Sequence, residues 1–252
     1  MTGQSSNNKG RYLYAVMYGS EERNYGPCGI DDSIVYTIFR EEVAAVVSDV
    51  PNGKLRPERR HLAAHQAVLK RLMEESTPLP MSFGIIADGP ETIKKILTDN
   101  QPEFVEQLDR VSGKVEMGLR VTWDVPNIFE YFVSTHPELR SVRDKYFGTH
   151  REPTQDDKIE LGRMFDRTLN EDRESYADDV EDALSRCCFE IKRNKCRTER
   201  EVLNLACLVG RDAEARFEDG ILQAANLFDN NFKFDYNGPW APHNFVDMEL
   251  KL

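Results

Sequence analysis

Phe232-Lys-Phe-Asp-Tyr-Asn-Gly-Pro-Trp-Ala-Pro-His-Asn-Phe245 is the run on which the reading of the fold turns. Phe232, Phe234 and Tyr236 alternate with Lys233 and Asp235, the period-2 pattern of a half-buried strand. Gly238-Pro239 is expected to end that strand, because proline has no amide hydrogen to donate and fixes its own φ. Trp240 then stands between Pro239 and Pro242, two residues that limit local backbone freedom. The result is a stiff aromatic corner with no catalytic chemistry in it.

Working backward from this strand, 211–229 has the spacing of an amphipathic helix. Before it, Cys188-Phe-Glu-Ile-Lys-Arg193 and Val202-Leu-Asn-Leu-Ala-Cys-Leu-Val209 read as two strands around a polar turn. A long helix over 156–184 turns Leu161, Phe165, Leu169, Tyr176 and Val180 toward a core. It follows a helical region with a polar break at 148–155. Lys114-Val-Glu-Met-Gly-Leu-Arg-Val-Thr-Trp123 alternates cleanly and predicts the first strand of this half. The second half therefore reads β-α-β-β-α-β, a ferredoxin-like order.

The first half begins with Arg11-Tyr-Leu-Tyr-Ala-Val-Met-Tyr18, dense in β-formers and expected as a central strand. Gly26-Pro-Cys-Gly29 marks a turn, and strands over 33–39 and 43–47 flank a charged hairpin turn at Arg40-Glu41-Glu42. Pro57 is expected at the first position of a helix running to about residue 76, a place where a missing N–H does no harm. Leu62, His65, Leu69, Leu72 and Met73 form its inner seam. Leu79-Pro-Met-Ser-Phe-Gly-Ile-Ile86 is a short, kinked extended run, followed by helices over 91–98 and 103–111. This half is β-β-β-α-β-α-α, an α+β unit of uncommon topology. Ser112-Gly113 is the expected boundary. The predicted organisation is a disordered tail over 1–10, an N-terminal α+β domain over 11–112 and a C-terminal ferredoxin-like domain over 113–252.

Composition narrows the function. The 252 residues are 40% hydrophobic and 31% charged, with a net charge of −11. That acidic balance opposes binding to nucleic acid, which relies on Lys and Arg neutralising phosphates. It equally opposes docking on an anionic lipid membrane. No run approaches the roughly 20 apolar residues that span a bilayer. The polar N-terminus lacks the apolar segment of a secretion signal. Five cysteines without a Cys-x-x-Cys pair are expected to be reduced thiols and not a metal site.

Several constellations resemble sites and fail on chemistry. His61-Leu-Ala-Ala-His65 has the spacing of a zinc-protease helix, but Leu62 stands where the general-base glutamate belongs. The acidic stretch 171–182 keeps helical spacing through Ala177, Val180, Ala183 and Leu184. It lacks the central glycine of a calcium loop and reads as a solvated helix face, with a possible role toward a basic partner. There is no glycine-rich phosphate cradle and no Gly-x-Ser-x-Gly elbow. Cys28 has no identifiable base nearby in sequence. No catalytic, cofactor-binding or metal-ligating residue is predicted. Two proline-stiffened segments remain, 78–84 and 238–245. Either they seal a domain or they anchor an interface, and periodicity does not separate the two.

Taken together, the runs Tyr12-Leu-Tyr-Ala-Val16, His65 with Val68 and Leu69, Leu79-Pro-Met-Ser-Phe-Gly84, Val115-Glu-Met-Gly-Leu-Arg-Val121, Val202–Val209 and Gly238–Phe245 resemble the gas vesicle protein F/L family, in order over nearly the whole chain. The chain departs from the family's usual residues at Ser82, Ile85, Ala241 and His243. The resemblance implies a non-enzymatic minor component or assembly factor of the gas vesicle, inside the prokaryotic cytoplasm. It implies contact with the hydrophobic shell protein and with other accessory proteins, and no cofactor. Leu79, Phe83, Trp240 and Phe245 are the residues expected to meet a partner. Two alternatives stand beside it: an enzyme using the carboxylates of the acidic helix, and a small-molecule-sensing regulatory domain on the ferredoxin-like half.

Overall fold

A computed structural model describes residues 9–148 and 152–251. The chain is mixed α+β with two sheets, and it forms two compact units. One holds the residues up to Glu116 together with those from Pro239 on; the other is Met117–Gly238. Of the tail expected over 1–10, residues 1–8 lie outside the described residues, and Gly10 already opens the first strand. Among the described residues no helix is long and apolar enough to cross a membrane.

The first unit is built on β1 (Gly10–Tyr18), whose residues from Tyr12 to Met17 are buried with no alternation. A strand reads this way when both of its faces are covered. After it come β2 (Asn24–Gly26), β3 (Val35–Arg40) and β4 (Val43–Val50). The expected hairpin joins β3 to β4, with Arg40 opposite Val43 and Glu41 in the left-handed region at φ 53°. Helix α1 (Arg59–Met73) follows, then the short strands β5 (Leu79–Pro80) and β6 (Ile86–Ala87), and helices α2 (Pro90–Asp99) and α3 (Gln101–Val111). The sheet order is β2-β3-β4-β1-β5, with β6 also pairing β1. Gly29 is a fixed point of this unit. A Cβ there would lie 2.6 Å from the Tyr14 hydroxyl, which accepts the Ile30 amide at 2.9 Å.

Two expectations for α1 are corrected. Pro57 lies outside the helix, with Glu58 as the N-cap. Leu62 is 42% exposed, because His61 takes the inward position in the first turn. The buried stripe is His61, His65, Val68, Leu69, Leu72 and Met73.

In the second unit β7 (Lys114–Trp123) leads to α4 (Ile128–Thr135), α5 (Pro137–Phe147) and α6 (Gln155–Leu184). Thr154 and Asp157 start α6 with a reciprocal capping box, which satisfies two otherwise orphaned amides. Strands β8 (Glu190–Arg193) and β9 (Glu201–Gly210), helix α7 (Glu214–Ala225) and β10 (Phe232–Trp240) complete it, with sheet order β10-β7-β9-β8. Helix α7 is shorter than the 211–229 expected. Its core includes Trp123 edge-on to Phe132 at 5.2 Å, with Phe165 against Phe132 at 5.5 Å.

Strand β10 does not stop at Gly238-Pro239 but runs through to Trp240. The physical reason is its place at the end of the sheet. An edge strand leaves one row of backbone groups unpaired, so a proline without an amide is tolerated there. The segment from Pro239 on, placed by the sequence within a domain over 113–252, groups with the first unit.

Candidate functional site

The two proline-stiffened segments, far apart in sequence, converge in the first unit around His65. Opposite β1, Pro80 faces Ala15 and the Met81 amide donates to the Tyr14 carbonyl at 2.9 Å. Pairing resumes only where the Leu13 amide reaches the Ile85 carbonyl at 3.0 Å. Residues 82–84 therefore bulge outward, and Gly84 supplies the required positive φ of 97°. β1 is irregular at the same place, since its register with β4 shifts between Leu13 and Ala15.

Into this break α1 inserts His65. Its ring lies 5.8 Å from Tyr12, 5.6 Å from Tyr14 and 6.0 Å from Phe83. The Met81 backbone carbonyl accepts a hydrogen bond from the imidazole. Nδ1 is then left to accept the Tyr12 hydroxyl at 2.9 Å, and that oxygen accepts the Gly84 amide at 3.2 Å. Burial first, and the neighbouring His243 second, lower the His65 pKa to about 4. The ring is thus a neutral clamp that ties β1, α1 and the 81–84 bulge together. His61 is occupied separately, with Nδ1–H donating to the Arg56 carbonyl at 2.9 Å. Among the described residues no group of three or more His, Cys, Asp or Glu side chains is placed to hold a metal ion.

The C-terminal segment is held by three buried polar side chains. The Glu116 carboxylate accepts from the Asn244 amide at 2.8 Å and from its side chain at 2.6 Å. Gln107 accepts the Asp247 amide at 3.2 Å, and Asn100 accepts the Lys251 amide at 2.9 Å. Each would be costly to bury without a partner, and each finds one on the returning backbone. A single 3-10 turn at His243–Phe245 drives Phe245 into the interior.

Of the four residues expected to meet a partner, Leu79 and Phe245 are fully buried and hold the fold. Both side chains are enclosed by their own unit. Phe83 is half-buried on the bulge, and Trp240 is 42% exposed. Asn100 and Gln107, which do much of the positioning, carried no distinguishing signal as a sequence, and Tyr12 and Glu116 stood only as members of longer strand runs.

The acidic helix is partly neutralised from within its own unit. Arg193 on β8 reaches Glu174 at 2.8 Å, Asp178 at 2.6 Å and Glu181. Glu181 and Asp178 hold its guanidinium pKa above the usual value. Beside it is a cavity of about 270 Å³ lined by Arg173, Glu174, Arg193 and Lys195. Arg193→Ala leaves three carboxylates on one helix face without their counter-charge. The expected loss is about 1 kcal/mol, shrinking with added salt, because these side chains are solvated. Urea titrations at low and high salt check this, and a deficit that ignores salt contradicts it.

A family model described as gas vesicle synthesis protein GvpL/GvpF matches residues 10–247. The chain belongs to the GvpL/GvpF family. Gas vesicle protein F of Nostoc sp. (strain PCC 7120 / SAG 25.82 / UTEX 2576) is 24% identical over 95% of this chain and 98% of its own. Gas vesicle protein F of Streptomyces sp. (strain CB03234) is 27% identical over 94% of this chain and 99% of its own. In fold the chain matches the crystal structure of GvpF from Anabaena sp. PCC7120 with a TM-score of 0.83, at 24% identity over 96% of this chain and 99% of that one. Membership in this family associates the chain with the gas vesicle system. The clamp at His65 and the anchored C-terminal segment are the features on which its two kinked runs depend.

Proposed function

We propose that this chain is a non-enzymatic accessory component of the gas vesicle, acting in the cytoplasm and docking the hydrophobic shell protein and other accessory proteins during assembly. The observation that carries this reading is Trp240. A large aromatic side chain stays 42% exposed on backbone flanked by Pro239 and Pro242, while the adjoining Ala241 and Phe245 are buried as anchors. Such a side chain loses little freedom on binding, which is what an interface anchor needs. Phe83 is the second docking residue, held on the bulge by the His65 clamp. Leu79 and Phe245 support the pair from inside.

The second unit is inferred to be ferredoxin-like, with α4 and α5 inserted before its first long helix. Support comes from the strand order β10-β7-β9-β8, which is the order that β-α-β-β-α-β connectivity makes with its second strand at one edge and its fourth at the other.

The paired variants Trp240→Ala and Phe83→Ala are expected to reduce capture of purified shell protein at least tenfold while the melting curve stays cooperative. At about 1.4 kcal/mol per tenfold, this is within the range of one lost aromatic anchor. Full capture by a normally folded double variant would remove the proposal.

A further inference from the structure

Strand β10 is an end strand, paired with β7 on one side and, among the described residues, with no strand on the other. Its outer row of backbone groups is a template for an added strand. The side chains alternate in character. Phe232 and Phe234 pack on Phe228 at 4.9 and 5.2 Å, and the Tyr236 hydroxyl donates to Glu218 of α7 at 2.8 Å, so this set faces the helices. Lys233 and Asp235 lie on the other face, exposed and 3.1 Å apart. Edge strands are commonly protected by proline, by a bulge or by unbalanced charge. Here Pro239 stands only near the far end, and the one lysine is balanced by an aspartate.

We propose that β10 pairs antiparallel with β10 of a second copy of this chain, about a two-fold axis through Phe234. In that register Lys233 of each copy lies opposite Asp235 of the other, and Phe232 lies opposite Tyr236. The strand is its own complement in both charge and shape, as a two-fold interface requires. Neighbouring registers fail this condition. Centring the axis on Lys233 places two ammonium groups face to face, and centring it on Asp235 places two carboxylates face to face. Helix α7 adds to the same surface. Leu222, 64% exposed, lies one turn beyond Glu218 on the stripe that overlooks β10. The two-fold brings both copies of that stripe together above the joined strands, and the exposure of Leu222 is thereby explained.

The test is mass by light scattering or sedimentation at about 100 μM chain, a concentration that populates a dimer of micromolar affinity. The unaltered chain is expected to run at twice the monomer mass. Lys233→Glu and Asp235→Lys, each alone, set like charges opposite each other and are expected to weaken association at least tenfold. Mixed in equal amounts, the two variants again present opposite charges across the axis, and the doubled mass returns. Circular dichroism and melting curves of each variant confirm that the fold is intact. A monomeric unaltered chain overturns the proposal. So does a dimer that ignores either reversal, and so does a mixture that stays monomeric.

Discussion

Phe245→Ala is expected to lower the unfolding free energy by about 3–5 kcal/mol, the usual range for truncating a fully buried phenylalanine. The side chain is wholly enclosed, and the single 3-10 turn that carries it is too short to persist alone. Its loss opens a cavity at the largest buried apolar anchor of a segment also held by Glu116, Gln107 and Asn100. Those three hydrogen-bonding groups are buried, so loosening the segment also leaves them short of partners. Hydrogen exchange is expected to quicken first at the amides of Asn244, Asp247 and Lys251, ahead of global unfolding. A melting temperature within a degree or two of the unaltered chain, with unchanged protection at those amides, would contradict this account.

Acid is expected to destabilise the first unit before carboxylate titration becomes general. The His65 imidazole has a folded pKa of about 4 against a model-peptide value of 6.5. Between these limits the unfolded chain binds a proton at this site and the folded chain does not. Stability therefore rises with pH through the window and is lost as pH falls from 6.5 toward 4. The full difference is about 3 kcal/mol, from roughly 1.4 kcal/mol per pH unit. The physical event is protonation of Nδ1, which uses the lone pair that accepts the Tyr12 hydroxyl and so breaks that hydrogen bond. His65→Phe keeps the aromatic packing, is less stable at neutral pH, and is expected to show a shallower acid slope in melts between pH 7 and 4. An acid slope retained in full by that variant would place the titration elsewhere.

How much of this was legible depends on the range of the interaction involved. The central strand at Tyr12–Met17, the helices and the β8–β9 hairpin could be read because their patterns are set by neighbours within a turn or a strand. The capping box at Thr154 and Asp157 is equally local, spanning three residues, although the reading stopped at a polar break there. Continuation of β10 through Pro239 was not legible, since it depends on whether the strand lies at an edge. Leu62 was misplaced because helical spacing marks a stripe but not how far a neighbouring element extends to cover it. The buried Asn100, Gln107 and Glu116 look like surface residues in sequence. Their partners lie 151, 140 and 128 residues away.

By itself the sequence determined most of the helices and strands, though not β2 or the division of the 79–86 run into β5 and β6, along with the absence of a recognisable catalytic motif and the two proline-stiffened aromatic runs that mark the family. Proline geometry and side-chain periodicity are properties of adjacent residues, so no folded chain was needed to read them. Only the tertiary structure decided that the Trp240 corner belongs to the first unit and that Leu79 and Phe245 face inward while Trp240 faces out. It also decided that His65 is the neutral clamp where both runs meet. Burial and hydrogen-bond satisfaction are properties of chain segments brought together across long separations, and no local pattern encodes which segment will return to cover which.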